Sequence, residues 1–498
     1  MQPLYFYNTA SRQKEEFKPI TQGEVGLYCC GPTVYGHAHI GNLRTYIFED
    51  VLRRTLTRYG YAVTHVMNIT DVGHLQSDAD DGEDKMAVAS RREQKDPYAI
   101  ARAYEELFFQ DTAKLNILRP DYAPRATESI AEIISFVQTL ENKGFAYVED
   151  GNVYFDTAKY PAYADFARLN IEGQGSEGQR VESDHRKKNP QDFVLWFSQS
   201  KFPNQIMKWE SPWGVGFPGW HVECSVMATK QLGERFDIHC GGIDHIPVHH
   251  TNEIAQSECC LGHDTASQRW VNYWLHGNFL TEADGQKMSK SKGGILTLGV
   301  LEEEGFDPLA YRFLCLQAHY RSQLFFSREA LQAAANGLDN MRLRILHWLE
   351  EAKTAEPLAQ KTQNPLALEY VRQFNESLCD DLGTAGALSV FYKAAADENL
   401  TPADKLSLAA EFDDVLGLSL AKTAKPDLTP EMQEIINLRL EARAAKNFAE
   451  ADRLRGELQQ MGIMIKDLAG GRYDYYAVPA SQSSSVTQKK TPAPARSI

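Results

Sequence analysis

The feature that most limits how this chain can fold is a strand–loop–helix–strand succession near its start. Gly26–Cys30 (GLYCC) is a short apolar run of strand character. A loop rich in Gly, Pro and His follows, GPTVYGHAHIGN. LRTYIFEDVLRRTLTRYG then carries apolar residues at helical spacing and stops at Gly60. The β-branched run AVTHVMNIT closes the unit. This order and spacing predict a βαβ unit of a parallel sheet, and so an α/β fold. In such sheets ligands bind beyond the carboxyl ends of the strands. The loop between Cys30 and Asn42 is therefore the first place to look for chemistry.

At 498 residues the chain is too long for one core. The compact pattern loosens from Leu118 to Trp209, where NIEGQGSEGQRVESDHRKKNPQDF is polar and Gly-rich, as in an insertion. It returns from Ser211 to about Leu316. From Ser327 to Leu420, Ala and Leu recur at helical period and predict a helical bundle. KTAKPDLTPEM reads as a linker, and EIINLRLEARAAKNFAEADRLRGELQQMG as one last helix leading into a small C-terminal unit. The expected boundaries place a parallel-sheet domain over 1–117 and 211–326, split by an insertion over 118–210. A helical bundle follows over 327–422, a C-terminal unit over 423–476, and a disordered tail over 477–498.

Apolar residues make up 43% and charged residues 24%, as in a soluble globular protein. No apolar run approaches bilayer length, and MQPLYFYNTASRQKEEF lacks a basic start followed by an apolar stretch. The expectation is a cytoplasmic chain with no membrane partner. The eight cysteines show neither the density of a disulfide scaffold nor a CxxC pair. Most are expected to be buried small hydrophobes, with one or two left as metal ligands.

The net charge of -15 opposes a nucleic-acid partner, because phosphate contacts need Lys and Arg. Only local basic faces would admit one. HRKKN concentrates Arg186, Lys187 and Lys188. The last helix places Arg439, Arg443 and Lys446 at i, i+4 and i+7 on one stripe, with Arg453 and Arg455 beyond. Each cluster reads equally well as a solvated helix face.

HAHIGN lies between a strand and a helix start. His39, Gly41 and Asn42 are thus near a positive helix end, where Gly41 admits close approach and the other two can donate to phosphate oxygens. The plain alternative is a loop whose histidines cap the helix. DGQKMSKSKGG holds Lys287, Lys290 and Lys292 in a Gly-flanked loop. Lysine suits phosphate charge, and a loop of this kind can stabilise charge that exists only in a transition state. Its alternative is a surface charge run.

His249 and Glu253 in HHTNE share one helix face at the spacing of paired metal ligands. Cys30 lies at the mouth of the first strand, and Cys224 follows a GWH turn. Two thiolates, an imidazole and a carboxylate are acceptable zinc ligands. Cys29 stands beside Cys30, but adjacent strand residues point to opposite faces. His245 and His250 read as a cap or pocket lining, and Cys240 as structural.

The HIGN and KMSKS segments, in this order, resemble the two signatures of the class I aminoacyl-tRNA synthetases. Four further segments resemble the cysteinyl-tRNA synthetase family: CGPTVY, GFPGWHVECS, GGIDHIPVHHTNEIAQSE and DPLAYRFLCLQAHYRSQLFFS. The resemblance covers nearly the whole chain except the tail. It implies a Rossmann-type catalytic domain with a connective insertion, a helical bundle and a C-terminal anticodon-binding unit. It also implies activation of L-cysteine by ATP with Mg²⁺, transfer to tRNA(Cys), and a monomer.

Residue by residue, the resemblance puts one Zn²⁺ on Cys30, Cys224, His249 and Glu253. It gives His39, Asn42, Lys287 and Lys290 the pyrophosphate leaving group, and adds Gly41 and Asp244 to the ATP site. Thr70 and Trp220 are expected at the substrate cysteine, and Arg439, Arg443 and Lys446 at the tRNA. The metal has a physical logic, since pockets separate serine or alanine from cysteine poorly by size whereas a thiophilic ion separates them well. The chain departs from the family at Asn42, where the class signature has His, at Gly294, where Asn is usual, and in GRYDYY, where a Trp is common. Two other readings are a cysteine ligase with a small amino-sugar acceptor and a non-catalytic relic. The ARAAKNFAEADRLR segment argues against the first, and the retained KMSKS lysines against the second.

Overall fold

The structure is a computed structural model that describes residues 2–73, 85–168, 185–199, 205–262, 269–281, 296–354, 361–467 and 473–477. The predicted βαβ unit is present as β1 (Glu24–Cys29), α1 (Ile40–Arg58) and β2 (Ala62–Met67). β1 and β2 pair in parallel from Glu24↔Ala62 to Cys29↔Met67. Later in the chain come α2 (Trp220–Leu232), β3 (Phe236–Gly242), α3 (Thr251–Leu261) and β4 (Val271–Gly277). The four strands form one sheet in the order β4-β3-β1-β2, and every pair is parallel. From β1 the chain crosses to β2 on one side, and from β3 to β4 on the other. The order therefore reverses between β1 and β3, which opens a crevice at their carboxyl ends.

Strand alternation decides which cysteine faces which layer. Leu27 and Cys29 pack with Leu43, Ile47 and Val51 of α1. Tyr28 and Cys30 pack with Val222 and Cys224 of α2 and Ala255 of α3. Cys29 and its register partner Cys240 share the α1 face, away from Cys224.

Between β2 and α2 the chain builds a helix, Ile130–Asn142, and an antiparallel four-stranded sheet. Its strands are Ala146–Glu149, Asn152–Phe155, Phe193–Phe197 and Phe217–Pro218. The last strand lies past the expected insertion boundary at 210. Phe217 is buried there and stacks on Phe197 at 4.8 Å between ring centres, which holds the GFPG segment in the inserted sheet.

The bundle comprises α4 (Arg328–Ala352), α5 (Pro365–Cys379), α6 (Thr384–Ala396) and α7 (Pro402–Leu416). Ser327, Asn364 and Thr401 cap α4, α5 and α7, with proline in the first turn of the last two. The bundle shares one core with α1. No helix among the described residues is long and apolar enough to cross a membrane.

The C-terminal unit corrects three expectations. The single predicted helix is two, α8 (Pro430–Ala444) and α9 (Phe448–Gln460). Lys446 turns the chain with φ 58°, and the Asn447 side chain caps α9 by accepting from Glu450 N–H at 3.3 Å. β5 (Ile463–Asp467) and β6 (Tyr473–Ala477) then form an antiparallel pair, so Ala477 ends a strand and does not begin the tail. β5 brings Asp467 under α8, where Arg439 is 1% exposed and donates to both carboxylate oxygens, at 2.9 and 2.8 Å. Arg439 is thus a buried structural residue and not part of an exposed tRNA stripe, and Lys446 lies off the helix. Arg443 is exposed and pairs with Asp467 at 2.9 Å. Asp467→Ala should destabilise this unit by roughly 2 kcal/mol, the scale of a charge-assisted hydrogen bond partly open to water. Faster amide hydrogen exchange across α8 checks this; unchanged exchange counts against the latch.

Candidate active site

A cavity of about 240 Å³ opens at the carboxyl ends of β1 and β3. Its wall brings together Cys30, His39, Asn42, Trp220, Asp244 and His249, which are separated widely in sequence, whereas Gly41 is not among its lining residues. Gly31 shapes the first part of this wall. Its N–H donates to Asn68 Oδ1 at 2.7 Å, and a Cβ there would lie 1.7 Å from the Asn68 carbonyl oxygen. No side chain fits, so the backbone can leave the sheet directly after Cys30.

Below this turn the ligand atoms of Cys30, Cys224, His249 and Glu253 lie within 4.8 Å of one another, all buried. His249 Nε2 is 3.0 Å from Glu253 Oε1 and 3.5 Å from Cys224 Sγ. Cys30 Sγ is 4.0 Å from the same carboxylate oxygen. The group could hold a metal ion, and each element supplies its donor for a structural reason: the end of β1, the second turn of α2, and successive turns entering α3. Among the described residues a second, overlapping group consists of Cys30, His239, His250 and Glu253. His250, expected as lining, is buried with Nε2 3.3 Å from Cys30 Sγ.

Sequence reasoning missed the histidines behind these donors. His221 Nδ1 meets His249 Nδ1 at 2.8 Å, and His239 Nε2–H donates to Glu253 Oε2 at 3.0 Å. His250 Nδ1 meets His276 Nε2 at 2.8 Å. Such contacts fix the orientation of a ligating ring or carboxylate. Only His221 carried a local signal, standing three residues before Cys224. His239 and His276 come from strands, where nothing in the spacing marks them.

The electrostatics favour a charged donor set. Burial pushes the Glu253 carboxyl up, but His239 and His249 outweigh it and hold it down to about 2. Burial opposes protonation of His249, yet Glu253 and Cys224 raise it well above the usual imidazole range. The Cys30 thiol, with help from His249, draws Cys224 down to about 7 against burial, while burial and the neighbouring Cys224 push Cys30 well up. A cation placed among them would replace the protons that this cluster now shares.

The HIGN segment fulfils both readings at once. His39 is the N-cap of α1, with Nδ1 accepting from Asn42 N–H at 3.2 Å, and it also lines the cavity. Because Nδ1 accepts, the ring proton of neutral His39 sits on Nε2. Asn42 is exposed on the cavity wall, and Asp244 stands in the turn after β3. Trp220 opens α2 and meets His249 edge-on at 5.5 Å. Lys287 and Lys290 lie outside the described residues. The chain on either side is described: Leu280–Thr281 forms a short strand before the segment, and Leu296 O accepts from Ile40 N–H at 3.0 Å after it.

Thr70 lies behind the loop that lines the cavity: it is 1% exposed, and its hydroxyl donates to Glu223 Oε2 at 3.4 Å. Its backbone pairs with this loop, with Thr70 N–H donating to Pro32 O at 3.0 Å and Val34 N–H donating to Thr70 O at 3.1 Å.

Comparison with known proteins agrees with this arrangement. Residues 16–336 match the family model described as tRNA synthetases class I (C) catalytic domain, and residues 425–473 match the cysteinyl-tRNA ligase anticodon binding domain. A cysteine–tRNA ligase of Treponema denticola is 46% identical over 490 residues, covering 94% of this chain and 98% of the relative. Cysteine–tRNA ligase 1 of Burkholderia lata is 46% identical over 473 residues, covering 94% and 96%. Among solved structures, the fold is similar to Mycobacterium tuberculosis methionyl-tRNA synthetase bound by methionyl-adenylate, with TM-score 0.52 and 16% identity over 86% of this chain and 96% of that one. It is also similar to Agrobacterium radiobacter LeuRS in a ternary complex, with TM-score 0.56 and 12% identity over 82% and 85%. The parallel sheet with its crevice, the inserted sheet and the two matched domains converge on one assignment: the chain belongs to the cysteine–tRNA ligase family of class I tRNA synthetases.

Proposed function

We propose that this cavity activates L-cysteine with ATP and delivers it to the 3′ end of tRNA(Cys). One observation carries the reading: the donors of Cys30, Cys224, His249 and Glu253 converge beside the same cavity whose wall carries His39, Asn42 and Asp244. A thiophilic centre and a phosphate-facing helix end thus meet in one space, as selection of a thiol amino acid and its adenylation both require.

The donor set fits zinc. Two thiols, one imidazole and one carboxylate are zinc ligands, and His221 and His239 steady two of them from behind. When bound there, Zn²⁺ would supply a soft Lewis acid that takes the substrate thiol far better than a serine hydroxyl.

The chain's own residues do the rest. Trp220, edge-on to His249, confines the amino-acid pocket. His39 Nε2–H and the Asn42 amide, at the positive end of α1, donate to phosphate oxygens. Lys287 and Lys290 add the positive charge that the departing pyrophosphate requires, with Mg²⁺ carried by ATP. Asp244 accepts a hydrogen bond from the nucleotide. A carboxylate oxygen of cysteine attacks the α-phosphorus, and the bond from that phosphorus to the bridging oxygen breaks as pyrophosphate leaves. A ribose hydroxyl of the terminal adenosine, the 2′-hydroxyl first, then attacks the adenylate carbonyl and releases AMP. The C-terminal unit, with Arg443 and Lys446 exposed, takes the anticodon arm.

Cysteine-dependent exchange of label between pyrophosphate and ATP, with metal analysis of the same preparation, tests this reading. The expected result is exchange and one zinc per chain. Absence of both would overturn it. Asn42 invites a separate variant. Asn42→His restores a donor able to carry charge, which is worth about 1–2 kcal/mol and so about 5- to 30-fold in activation rate. No gain in single-turnover adenylate formation would sink the idea that Asn42 contacts phosphate.

A further inference from the structure

Arg44 has no part in the chemistry above, yet it grips more of the surrounding chain than any packing role requires. It lies one turn into α1, on the helix that begins with His39, Gly41 and Asn42, and is 4% exposed. No carboxylate pairs with it among the described residues. Its guanidinium instead donates to four main-chain carbonyls: Asn278 at 2.8 Å, Phe279, His319 at 3.4 Å, and Ser322. These belong to two separate stretches. Asn278–Phe279 leads into the strand Leu280–Thr281, and His319–Ser322 leads into Leu324–Phe325, which pairs with that strand in parallel. A second grip holds the start of the same helix from the opposite end of this region. Buried Tyr311 donates its hydroxyl to Ile40 O at 2.6 Å, and Ile40 N–H donates to Leu296 O at 3.0 Å.

Burying a guanidinium without a counter-charge costs stability, and an apolar side chain of similar volume would pack there at lower cost. The arrangement makes sense if relative position matters. Main-chain acceptors are independent of side-chain identity, so Arg44 fixes where those two stretches lie against α1. We propose that Arg44, assisted by Tyr311, is a positioning residue for the adenylation step, holding the phosphate-facing end of α1 in register with the Leu280–Thr281 strand. This inference rests on the proposed function. The physical basis is that adenylation is driven by placement, and a misplacement of about 1 Å can cost roughly 100-fold in rate.

The fork of the guanidinium is what spans two stretches of chain. Lysine keeps the charge but presents its donors from one point. The test is single-turnover adenylate formation by R44K, with zinc content, the KM for cysteine and the amplitude of the adenylate burst measured alongside. The expected result is a rate constant reduced roughly 10- to 100-fold, with zinc and the cysteine KM unchanged. Tyr311→Phe removes a single hydroxyl and keeps the ring. It should slow the same step by a smaller factor, and it carries the test if R44K does not fold. A parent-like rate constant in the folded variant, even with a reduced amplitude, would overturn the proposal by marking Arg44 as purely structural. Failure of the parent chain itself to form cysteinyl-adenylate would instead overturn the proposed function.

Discussion

Replacing Cys224 with serine should abolish binding of the proposed zinc and slow cysteine activation by at least about 100-fold, since losing even an outer partner of a metal ligand costs roughly 10- to 100-fold. The substitution is nearly isosteric at a position 1% exposed, so the packing around α2 changes little. What changes is the donor. The Cys30 thiol and His249 draw the Cys224 thiol down to about 7, within reach of ionisation at neutral pH. A serine hydroxyl stays protonated there and ligates poorly. Metal content and pyrophosphate exchange should fall together. The variant also separates the two overlapping donor groups, because Cys224 belongs only to the group with His249, whereas His239 and His250 belong only to the other. Full metal content and parent kinetics in this variant would exclude Cys224 as a ligand and shift the site to Cys30, His239, His250 and Glu253.

The second large effect is on stability. Arg312→Leu should destabilise the chain by about 3–5 kcal/mol, the cost of removing one partner from a buried ion pair. Arg312 and Asp50 are both fully buried, 2.6 Å apart. Arg312 also donates to the carbonyls of Leu416 at 2.7 Å, Leu115 at 3.1 Å and Asn116 at 3.3 Å. It thus joins α1, the chain before the insertion, and the end of the bundle. Its loss leaves the Asp50 carboxylate buried with, among the described residues, only Arg54 and the Leu118 N–H as partners. Burial pushes the Asp50 carboxyl up, but Arg312 and Arg54 outweigh it and hold it below its ordinary value. The contribution is therefore present in full above the unfolded carboxyl pKa of about 4 and is lost as pH falls through the lower folded value. The gap in thermal midpoint between parent and variant should narrow in acid. Adding Asp50→Leu to the variant should recover part of the loss, because an ion pair removed whole leaves no stranded charge. A midpoint unchanged at neutral pH would contradict this account.

Some of this was readable before any coordinates. The βαβ unit announced itself by a change of apolar period at Gly60, and strand alternation separated Cys30 from Cys29. The spacing of His249 and Glu253 pointed to a shared helix face, and they do share it, across a turn that enters α3. What stayed hidden depends on partners far away in the chain. Arg439 looks like a solvated charge until β5 supplies Asp467. Phe217–Pro218 has no strand signature of its own and becomes a strand only by pairing with Phe193–Phe197. The break between α8 and α9 was legible, however, because Asn447 with Glu450 three residues later is a helix-start signature. The continuous helical period across it masked the signal. Arg44 was invisible for another reason, since backbone carbonyls leave no trace in a sequence.

The central claim is that this cavity selects cysteine for tRNA through a thiol-binding centre. Charging of tRNA(Cys) by the purified chain, with cysteine and serine run in parallel and the metal assayed, tests it most directly. The account predicts charging with cysteine, no measurable charging with serine, and loss of cysteine charging when the metal is removed and its return when zinc is restored. Charging with both amino acids, or cysteine charging that survives complete removal of the metal, would contradict it.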